Sequence, residues 1–206
     1  MATDLTREKL LKAATDVFVE RGFSGARVDA IARKAGANKA MIYYHFGDKA
    51  ALYQAVLLRL MRPVHEHIDA LHGESNPRRR LRAFYRGLVE RFHVRPALPK
   101  LMLREVLAGG RNMEAETARA FARILAFVAS TLEDGAVAGR FLPTSPLLFH
   151  LAVLSPALLL LAGGDFRARV TSAAANSLPT PNLEALLKHV DAAIERGLVT
   201  PKRRRS

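Results

Sequence analysis

Cysteine is absent from the 206 residues of the sequence. This absence excludes thiol catalysis, disulfide frameworks and cysteine-based zinc sites, and it fits a reducing compartment. GxSxG and HExxH motifs, Gly-rich phosphate loops and paired carboxylates are also missing. His65, His67, His93 and His150 lack the spacing and the carboxylate neighbours of a ligand set, so we expect no metal site and no other cofactor. The chain is therefore not expected to be an enzyme.

The sequence also lacks an apolar run of the roughly 20 residues that a membrane span requires. The segment 141–164 carries no formal charge, but Pro143, Pro146, His150 and Pro156 interrupt it. Residues 1–12 alternate polar and charged positions where a secretion signal needs an apolar stretch. We therefore expect a cytoplasmic protein that does not enter a membrane.

Basic residues outnumber acidic ones, 32 to 19, which gives a formal net charge of +13. Such an excess favours phosphate-rich partners, either nucleic acid or an anionic membrane surface. The positive charge is spread along the chain, so it does not locate a binding site. Half of the residues are hydrophobic, which is enough to build a core without metal or disulfide support.

Apolar residues recur at helical spacing throughout, and no segment alternates with a period of two, so the sequence predicts an all-α fold of about nine helices. The first helix should start after Thr6 and end at Gly22, with an apolar face made of Leu10, Leu11, Ala14, Val17 and Phe18. Later helices are predicted at approximately 77–94, 98–108, 113–134, 146–162 and 183–197. Residues 165–178 are left open, and the basic tail 201–206 is expected to be disordered.

Two short helices follow the first one, joined by a tight turn. Val28, Ile31, Ala32 and Ala35 mark the second helix, which Gly36 ends. The third helix is predicted at 39–46 with Asn38 as its cap, and a long fourth helix should run from the cap Asp48 to about His72. Two helices with a glycine-containing turn and a supporting helix describe a helix-turn-helix at about 27–46, whose second helix enters the DNA major groove.

The third helix has the side chains of a DNA-reading element. Polar and aromatic donors share its two turns, while Ile42 and Phe46 can attach the opposite side to the core. Taken alone, the aromatic cluster could equally pack on the fourth helix, and the complete motif favours DNA binding. Lys49 and the free backbone amides near Asp48 are expected to bind a phosphate.

These residues resemble the amino-terminal domain of TetR-family transcriptional regulators. The resemblance covers about residues 4–64, and its most distinctive part is the string 43–46 followed by Lys49. The other matching positions are Leu10-Leu11, Ala13-Ala14, Phe18, Gly22-Phe23, Val28-Asp29-Ala30-Ile31-Ala32, Gly36, Ile42 and Gly47-Asp48. The resemblance implies a homeodomain-like three-helix DNA-binding domain at 4–64 and a helical domain at 65–206 that binds a small molecule and dimerises.

The resemblance also implies roles for individual residues. Base edges are contacted in the family at the positions of Lys39, Ala40, Met41 and Tyr43, and phosphates at those of Tyr43, His45 and Lys49. The complete set of expected DNA-binding residues is Arg27, Asn38, Lys39, Ala40, Met41, Tyr43, Tyr44, His45 and Lys49.

Two of these positions depart from the family pattern. Arg27 stands where a serine or threonine usually caps the second helix, so the cap is weaker and a longer-range phosphate contact is expected. Met41 replaces a small hydroxyl residue, and its thioether favours a thymine methyl group or a steric role.

The remaining two thirds of the chain are too long and apolar to serve only as an accessory to DNA binding. The side chains expected to line a ligand pocket, with a solid core as the alternative, are Phe84, Phe92, Met102, Glu105, Phe121, Leu125 and Phe149. Glu105 forms a charged pair with Arg104 in an apolar helix, which suits either a polar ligand group or a salt bridge of the bundle. The resemblance implies a dimer interface on helices 146–162 and 183–197, with Leu151, Leu158, Leu186, Leu187 and Val190 as its residues.

The sequence therefore predicts a sequence-specific DNA-binding regulator, in the first place a homodimeric repressor that a small, largely apolar effector releases from its operator. Two other classes remain open. The net charge and Leu158–Leu161 also suit a helical protein that binds a membrane surface or lipid. A constitutive DNA-binding protein without an inducer is the third possibility.

Overall fold

The computed structural model describes residues 2–173 and 179–198. Ten helices are found in these ranges, with no strand among them, so the predicted all-α fold is confirmed. Their bounds are α1 (Ala2–Gly25), α2 (Val28–Ala35), α3 (Lys39–Phe46), α4 (Lys49–Ala70), α5 (Pro77–Val94), α6 (Ala97–Leu107), α7 (Ala115–Val137), α8 (Pro146–Ala162), α9 (Gly164–Ala173) and α10 (Leu183–Gly197). Helix α9 lies in the segment left open by the sequence, while the basic tail lies outside the described residues.

Capping residues explain why the predicted bounds of α5, α8 and α10 agree with the structure. Asn76 accepts a hydrogen bond from the backbone N–H of Arg78 at 3.1 Å and precedes a proline in the first turn. Ser145 accepts from Leu148 at 3.4 Å, and Asn182 accepts from the backbone N–H of the third residue after it at 2.8 Å. These caps satisfy amides that a helix start leaves without partners.

Helix α1 begins earlier than the sequence predicted. It starts at Ala2 and passes through Thr6, so Thr6 is not its cap. No proline or glycine separates these positions, and nothing in the backbone therefore stops the helix from extending. At the other end of α1, Gly22 interrupts the helix with a φ of 69° and a ψ of 177°. These backbone angles are not helical, which agrees with the prediction that Gly22 stops the helix.

The chain divides into two compact units. Residues up to Arg62 together with Ala97–Ala120 form the first unit, and Pro63–Pro96 together with the residues from Phe121 onwards form the second. The predicted division fell at 64/65, and the structure differs by grouping 97–120 with the N-terminal helices. The reason is that α6 packs against α1, where Arg104 donates hydrogen bonds to the carbonyl oxygens of Val19 and Glu20, each at 3.2 Å.

The first unit has a continuous apolar core. The predicted face of α1 is buried as expected, since Leu10, Ala14 and Phe18 are each 0% exposed. The ring of Phe18 meets the ring of Tyr53 edge-on, with a centroid distance of 4.7 Å. This packing holds α1 against α4 and provides the support on which the two short helices rest.

The second unit is organised around α10, which packs against α5 and α8. Val190 and Ile194 of α10 are completely buried, as are Phe84 and Tyr85 of α5. On its outer side, Asp191 accepts from Arg86 at 2.8 Å and lies 3.2 Å from Arg82. An apolar seam with charged pairs along its edge therefore holds these helices together.

None of the helices in the described ranges is by itself both long and apolar enough to span a membrane. Helices α8 and α9 meet the length and composition requirement only as a pair, and they bend by 71° where they join.

Candidate nucleic-acid interface

Helices α2 and α3 form the helix-turn-helix, and its turn is built by two residues. Gly36 adopts a φ of 63° and ends α2. Its N–H donates a hydrogen bond to the carbonyl oxygen of Arg33 at 3.1 Å. The side chain of Asn38 accepts a hydrogen bond from the N–H of Ala40 at 3.0 Å and so caps α3. The predicted stop and cap are therefore both present.

Two isoleucines attach the motif to the core. Ile31 of α2 and Ile42 of α3 are both 0% exposed. Phe46, expected to assist Ile42, is half-buried, and the guanidinium of Arg7 lies 5.3 Å from the centre of its ring. One side of α3 is thereby fixed, which leaves the other side available.

The outward side of α3 carries most of the predicted DNA-binding residues. Lys39 and Ala40 are exposed, and Tyr43 and Tyr44 expose 47% and 76% of their surface. Met41 and His45 are half-buried, and the His45 ring packs against Tyr44 at a centroid distance of 5.1 Å. Two large aromatic side chains held in solvent on a two-turn helix suit stacking or hydrogen bonding with a partner better than they suit packing within the chain.

Lys39 is paired in the structure. Its Nζ lies 3.1 Å from Oδ1 of Asp29 in α2, and both side chains are exposed. The hydrogen bond to Asp29, followed by the charge of the same carboxylate, raises the pKa of Lys39. The ammonium therefore carries its charge at the surface of the motif, but DNA has to compete with Asp29 for it.

Lys49 has a contact that sequence reasoning did not find. Its Nζ donates to the carbonyl oxygens of Phe23 at 3.1 Å and Ala26 at 3.3 Å, and it lies 4.6 Å from the centre of the Phe23 ring. These carbonyls belong to the junction between α1 and α2, so the side chain ties the start of α4 to that junction. In the sequence, a lysine at a helix start can indicate a phosphate contact or a hydrogen bond to another segment of the chain. The sequence alone does not distinguish these two roles.

The remaining predicted residues flank the motif. Arg27 is exposed at the start of α2 and forms no side-chain cap, in agreement with the expected weak cap. Asp48 accepts from the N–H of Ala51 at 2.8 Å and caps α4 as predicted. Arg27 therefore keeps its guanidinium available for an anion, whereas Asp48 has a structural role.

The predicted pocket residues divide between the two units. Phe84, Phe92 and Phe149 are buried in the second unit, where Phe121 and Leu125 are half-buried. Met102 and Glu105 belong to the first unit. The assignment of these seven residues to one ligand pocket stays a prediction.

A buried polar pair lies in the aromatic core of the second unit. The hydroxyl of Tyr85 is 3.0 Å from Nδ1 of His150, and the ring centroid of Phe149 is 6.0 Å from that of Tyr85. Burial lowers the pKa of His150 to about 4, so its imidazole is neutral at physiological pH, and burial also raises the pKa of Tyr85. No group of three or more potential metal ligands occurs within the described ranges.

Three of the predicted dimer residues are in the core of the protomer. Leu186, Leu187 and Val190 expose 5%, 7% and 0% of their surface, because α10 turns this face towards α5 and α8. Their assignment to a dimer interface stays a prediction, while these three side chains already pack within the protomer. Leu151 remains 49% exposed and Leu158 is half-buried, and the leucines exposed on α8 are Leu147, Leu148, Leu151 and Leu159.

Comparison with known proteins is consistent with this arrangement. The family described as bacterial regulatory proteins, tetR family, matches residues 10–56, which contain α2, α3 and the supporting parts of α1 and α4. An HTH-type transcriptional repressor of Streptomyces coelicolor is 30% identical over 173 residues, covering 79% of this chain and 86% of that protein. The chain belongs to the TetR family. TetR-family members are transcriptional regulators, which agrees with the prediction that the chain is not an enzyme.

Other TetR-family relatives match over shorter stretches or in fold. The transcriptional repressor NicS of Pseudomonas putida is 41% identical over 78 residues, covering 38% of this chain and 33% of that protein. The first curated relatives of this kind are matched over only 28% to 44% of their own length. The structure of the fatty acid degradation regulator FadR from Bacillus halodurans has a TM-score of 0.69 at 16% identity, covering 91% of this chain and 93% of that one, and shows the shared fold.

Proposed function

We propose that this TetR-family protein is a homodimeric repressor that binds an operator through α3 and is released from it by a small, largely apolar effector. The observation that carries the proposal is the outward side of α3. Lys39, Tyr43 and Tyr44 are exposed there, while Ile42 fixes the helix from behind. A short helix with a buried anchor and a polar, aromatic outer side is suited to reading base edges in the major groove.

Two copies of the motif are needed for tight and specific binding, because one short helix contacts few base pairs. A two-fold dimer places two recognition helices about 34 to 36 Å apart, one turn of DNA. Helix α8 supplies a surface for such a dimer, since Leu148, Leu151 and Leu159 are 67%, 49% and 57% exposed. An apolar surface of this kind is typical of a protein contact.

The aromatic core of the second unit supports an apolar effector. The rings of Phe84 and Phe149 pack against the ring of Tyr85, whose hydroxyl lies 3.0 Å from Nδ1 of His150. A mostly apolar site with a few polar groups is the composition that small-molecule sites share. Binding there has to alter operator affinity by roughly 1 to 3 kcal/mol to act as a switch, which corresponds to several-fold to over a hundredfold.

The proposal is tested by selecting the genomic fragments that the purified protein binds and titrating the best fragment in mobility-shift assays. Thermal-shift screening of apolar metabolites then identifies stabilising compounds, each of which is added to the operator titration. A defined operator and a compound that lowers operator affinity are expected. Binding without sequence preference would contradict the proposed operator binding. Stabilising compounds that leave operator affinity unchanged would contradict the proposed release by an effector.

A further inference from the structure

A cleft of about 400 Å³ lies within the first unit, beside the break in α1. Its lining comes from the end of α1, the last turns of α6 and the loop that follows α6. Three arginines and one glutamate are the charged residues of this lining: Arg21, Arg104, Arg111 and Glu105. No DNA-binding residue predicted from the sequence is among them.

Glu105 is the buried member of this set. It is 4% exposed, and its Oε1 accepts hydrogen bonds from the Tyr53 hydroxyl at 2.6 Å and from Nδ2 of Asn112 at 3.0 Å. Its Oε2 is shielded from solvent and has no hydrogen-bond partner. A buried carboxylate oxygen without a donor is unfavourable, and because Glu105 lines the cleft, a ligand N–H that displaces the side chains around Oε2 can satisfy it.

The arginines supply positively charged hydrogen-bond donors. Arg104 donates hydrogen bonds to the carbonyl oxygens of Val19 and Glu20 at the end of α1. The described hydrogen bond of Arg111 uses only Nε, which donates to the carbonyl of Ala108 at 3.0 Å, and Arg21 is likewise engaged through Nε. Among the described residues, the terminal nitrogens of Arg21 and Arg111 have no hydrogen-bond partner, so they can bind a carboxylate, which a guanidinium does in bidentate fashion.

We propose that this cleft binds a small zwitterion of the α-amino acid class. Its ammonium group pairs with Oε2 of Glu105 and its carboxylate pairs with Arg111 and Arg21, while its side chain contacts Phe23 and Leu107, which also line the cleft. A simple anion leaves Oε2 unsatisfied, and a simple cation is repelled by the guanidinium groups. A ligand that carries both groups meets both requirements.

The position of the cleft connects it with the helix-turn-helix. Phe23, whose carbonyl accepts the hydrogen bond from Lys49, is part of its lining. A bound zwitterion therefore contacts the junction that supports α2. Regulation of operator binding from this site rests on the proposed function, whereas binding of the ligand itself does not.

Isothermal titration and thermal-shift assays of the full chain with each proteinogenic L-amino acid test the proposal. At least one amino acid is expected to bind saturably and raise the melting temperature. The corresponding acid without the amino group should bind about tenfold or more weakly, because it leaves Glu105 without a donor.

Variants show whether this cleft is the site. Arg111→Ala removes a carboxylate partner at an exposed position, and Glu105→Gln removes the negative charge while keeping an oxygen for Tyr53. Each should weaken amino-acid binding about tenfold or more, with circular dichroism confirming the fold. Arg119→Ala, at an exposed arginine of the same unit outside the cleft, should leave the affinity unchanged.

The proposal is overturned if no amino acid binds to the folded wild-type chain, or if binding persists undiminished in folded Arg111→Ala and Glu105→Gln. Because no DNA is present in these titrations, failure here is distinct from failure of the proposed repressor function. Operator titration with and without the bound amino acid then measures the regulatory part separately.

Discussion

Lys39 shows, for a single residue, the electrostatics of the surface that is proposed to bind DNA. The exposed ion pair with Asp29 is screened by solvent and stabilises the fold little. The main consequence of this ion pair is electrostatic, because the carboxylate of Asp29 lies beside α3, the helix that is proposed to bind DNA. We therefore expect Asp29 to affect DNA affinity more than stability.

Replacing Asp29 with asparagine is expected to raise DNA affinity several-fold at low salt, since Lys39 is released and one repulsive charge is removed. The gain should shrink as the salt concentration rises. Fluorescence anisotropy across a salt series measures both effects. Asp16→Asn is the matched control, because Asp16 pairs with Lys34 at 3.3 Å in a similarly exposed pair that contains none of the predicted DNA-binding residues. Equal gains in both variants would contradict a specific role for Asp29.

His150 makes folding stability depend on pH. Its pKa in the folded chain is about 4, below the ordinary value of 6.5, so the unfolded chain binds more protons between these two values. Stability is therefore highest above pH 6.5 and falls as the pH decreases towards 4, by about 3 kcal/mol at most. The partly buried His67, whose pKa is also lowered by burial, contributes in the same direction.

The His150→Gln variant is expected to lose most of this pH dependence, because glutamine can still bond to Tyr85 but does not titrate. Urea denaturation of both proteins between pH 7 and pH 4.5 gives the difference, and carboxylates common to both cancel. Parallel stability curves for wild type and His150→Gln over this window would show that burial does not hold the imidazole neutral.

At the scale of elements, Lys49 joins three helices at one point. The start of α4 is tied to the junction of α1 and α2 through two carbonyl oxygens. We expect Lys49→Met to lower the free energy of unfolding by about 1 to 2 kcal/mol and to weaken binding to every DNA sequence alike. The dependence of DNA affinity on salt concentration should change little. Loss of a direct phosphate contact would instead reduce the slope of log affinity against log salt concentration by about one.

Denaturation and salt-dependent anisotropy measure these two quantities. Lys12→Met is the control, since Lys12 is exposed on α1. An unchanged stability together with a flatter salt slope in Lys49→Met would restore the phosphate role expected from the sequence.

Local signals in the sequence were sufficient for most helix bounds. Glycines at 36 and 22 and caps such as Asn38 and Asn182 act on their own turns, so their effect can be read without the fold. Contacts between distant segments could not be read in this way. Nothing near Lys49 specifies the carbonyls of Phe23 and Ala26, because these lie more than twenty positions away in the chain and meet it only after folding.

The same limit applies to the packing of α10. An apolar helix near the end of the chain suits a protomer core and a dimer interface equally well, and burial in the folded protomer decides between them. Leu186, Leu187 and Val190 are buried against α5 and α8, and the leucines that remain exposed are on α8. The packing of α6 on α1 was not predicted for a related reason, since adjacent positions in the sequence do not encode it.

For the whole molecule, the proposed dimer is tested on α8. Leu148→Glu combined with Leu151→Glu should convert the dimer to a monomer that keeps its helical content, because both side chains are exposed in the protomer. Light scattering and circular dichroism are the measurements. Val94→Glu, at a residue that is 75% exposed on α5, should leave the dimer intact. A folded dimer that persists in the double variant would exclude this surface of α8.

The proposal that α3 reads a DNA sequence can be tested by selection from a random DNA library, with the wild-type chain and with Lys39→Ala. We expect a palindromic motif whose half-sites are separated by whole turns of DNA, and a changed base preference at defined positions for Lys39→Ala. Recovery of no motif by the wild-type chain, or an identical motif with uniformly weaker binding for Lys39→Ala, would contradict it.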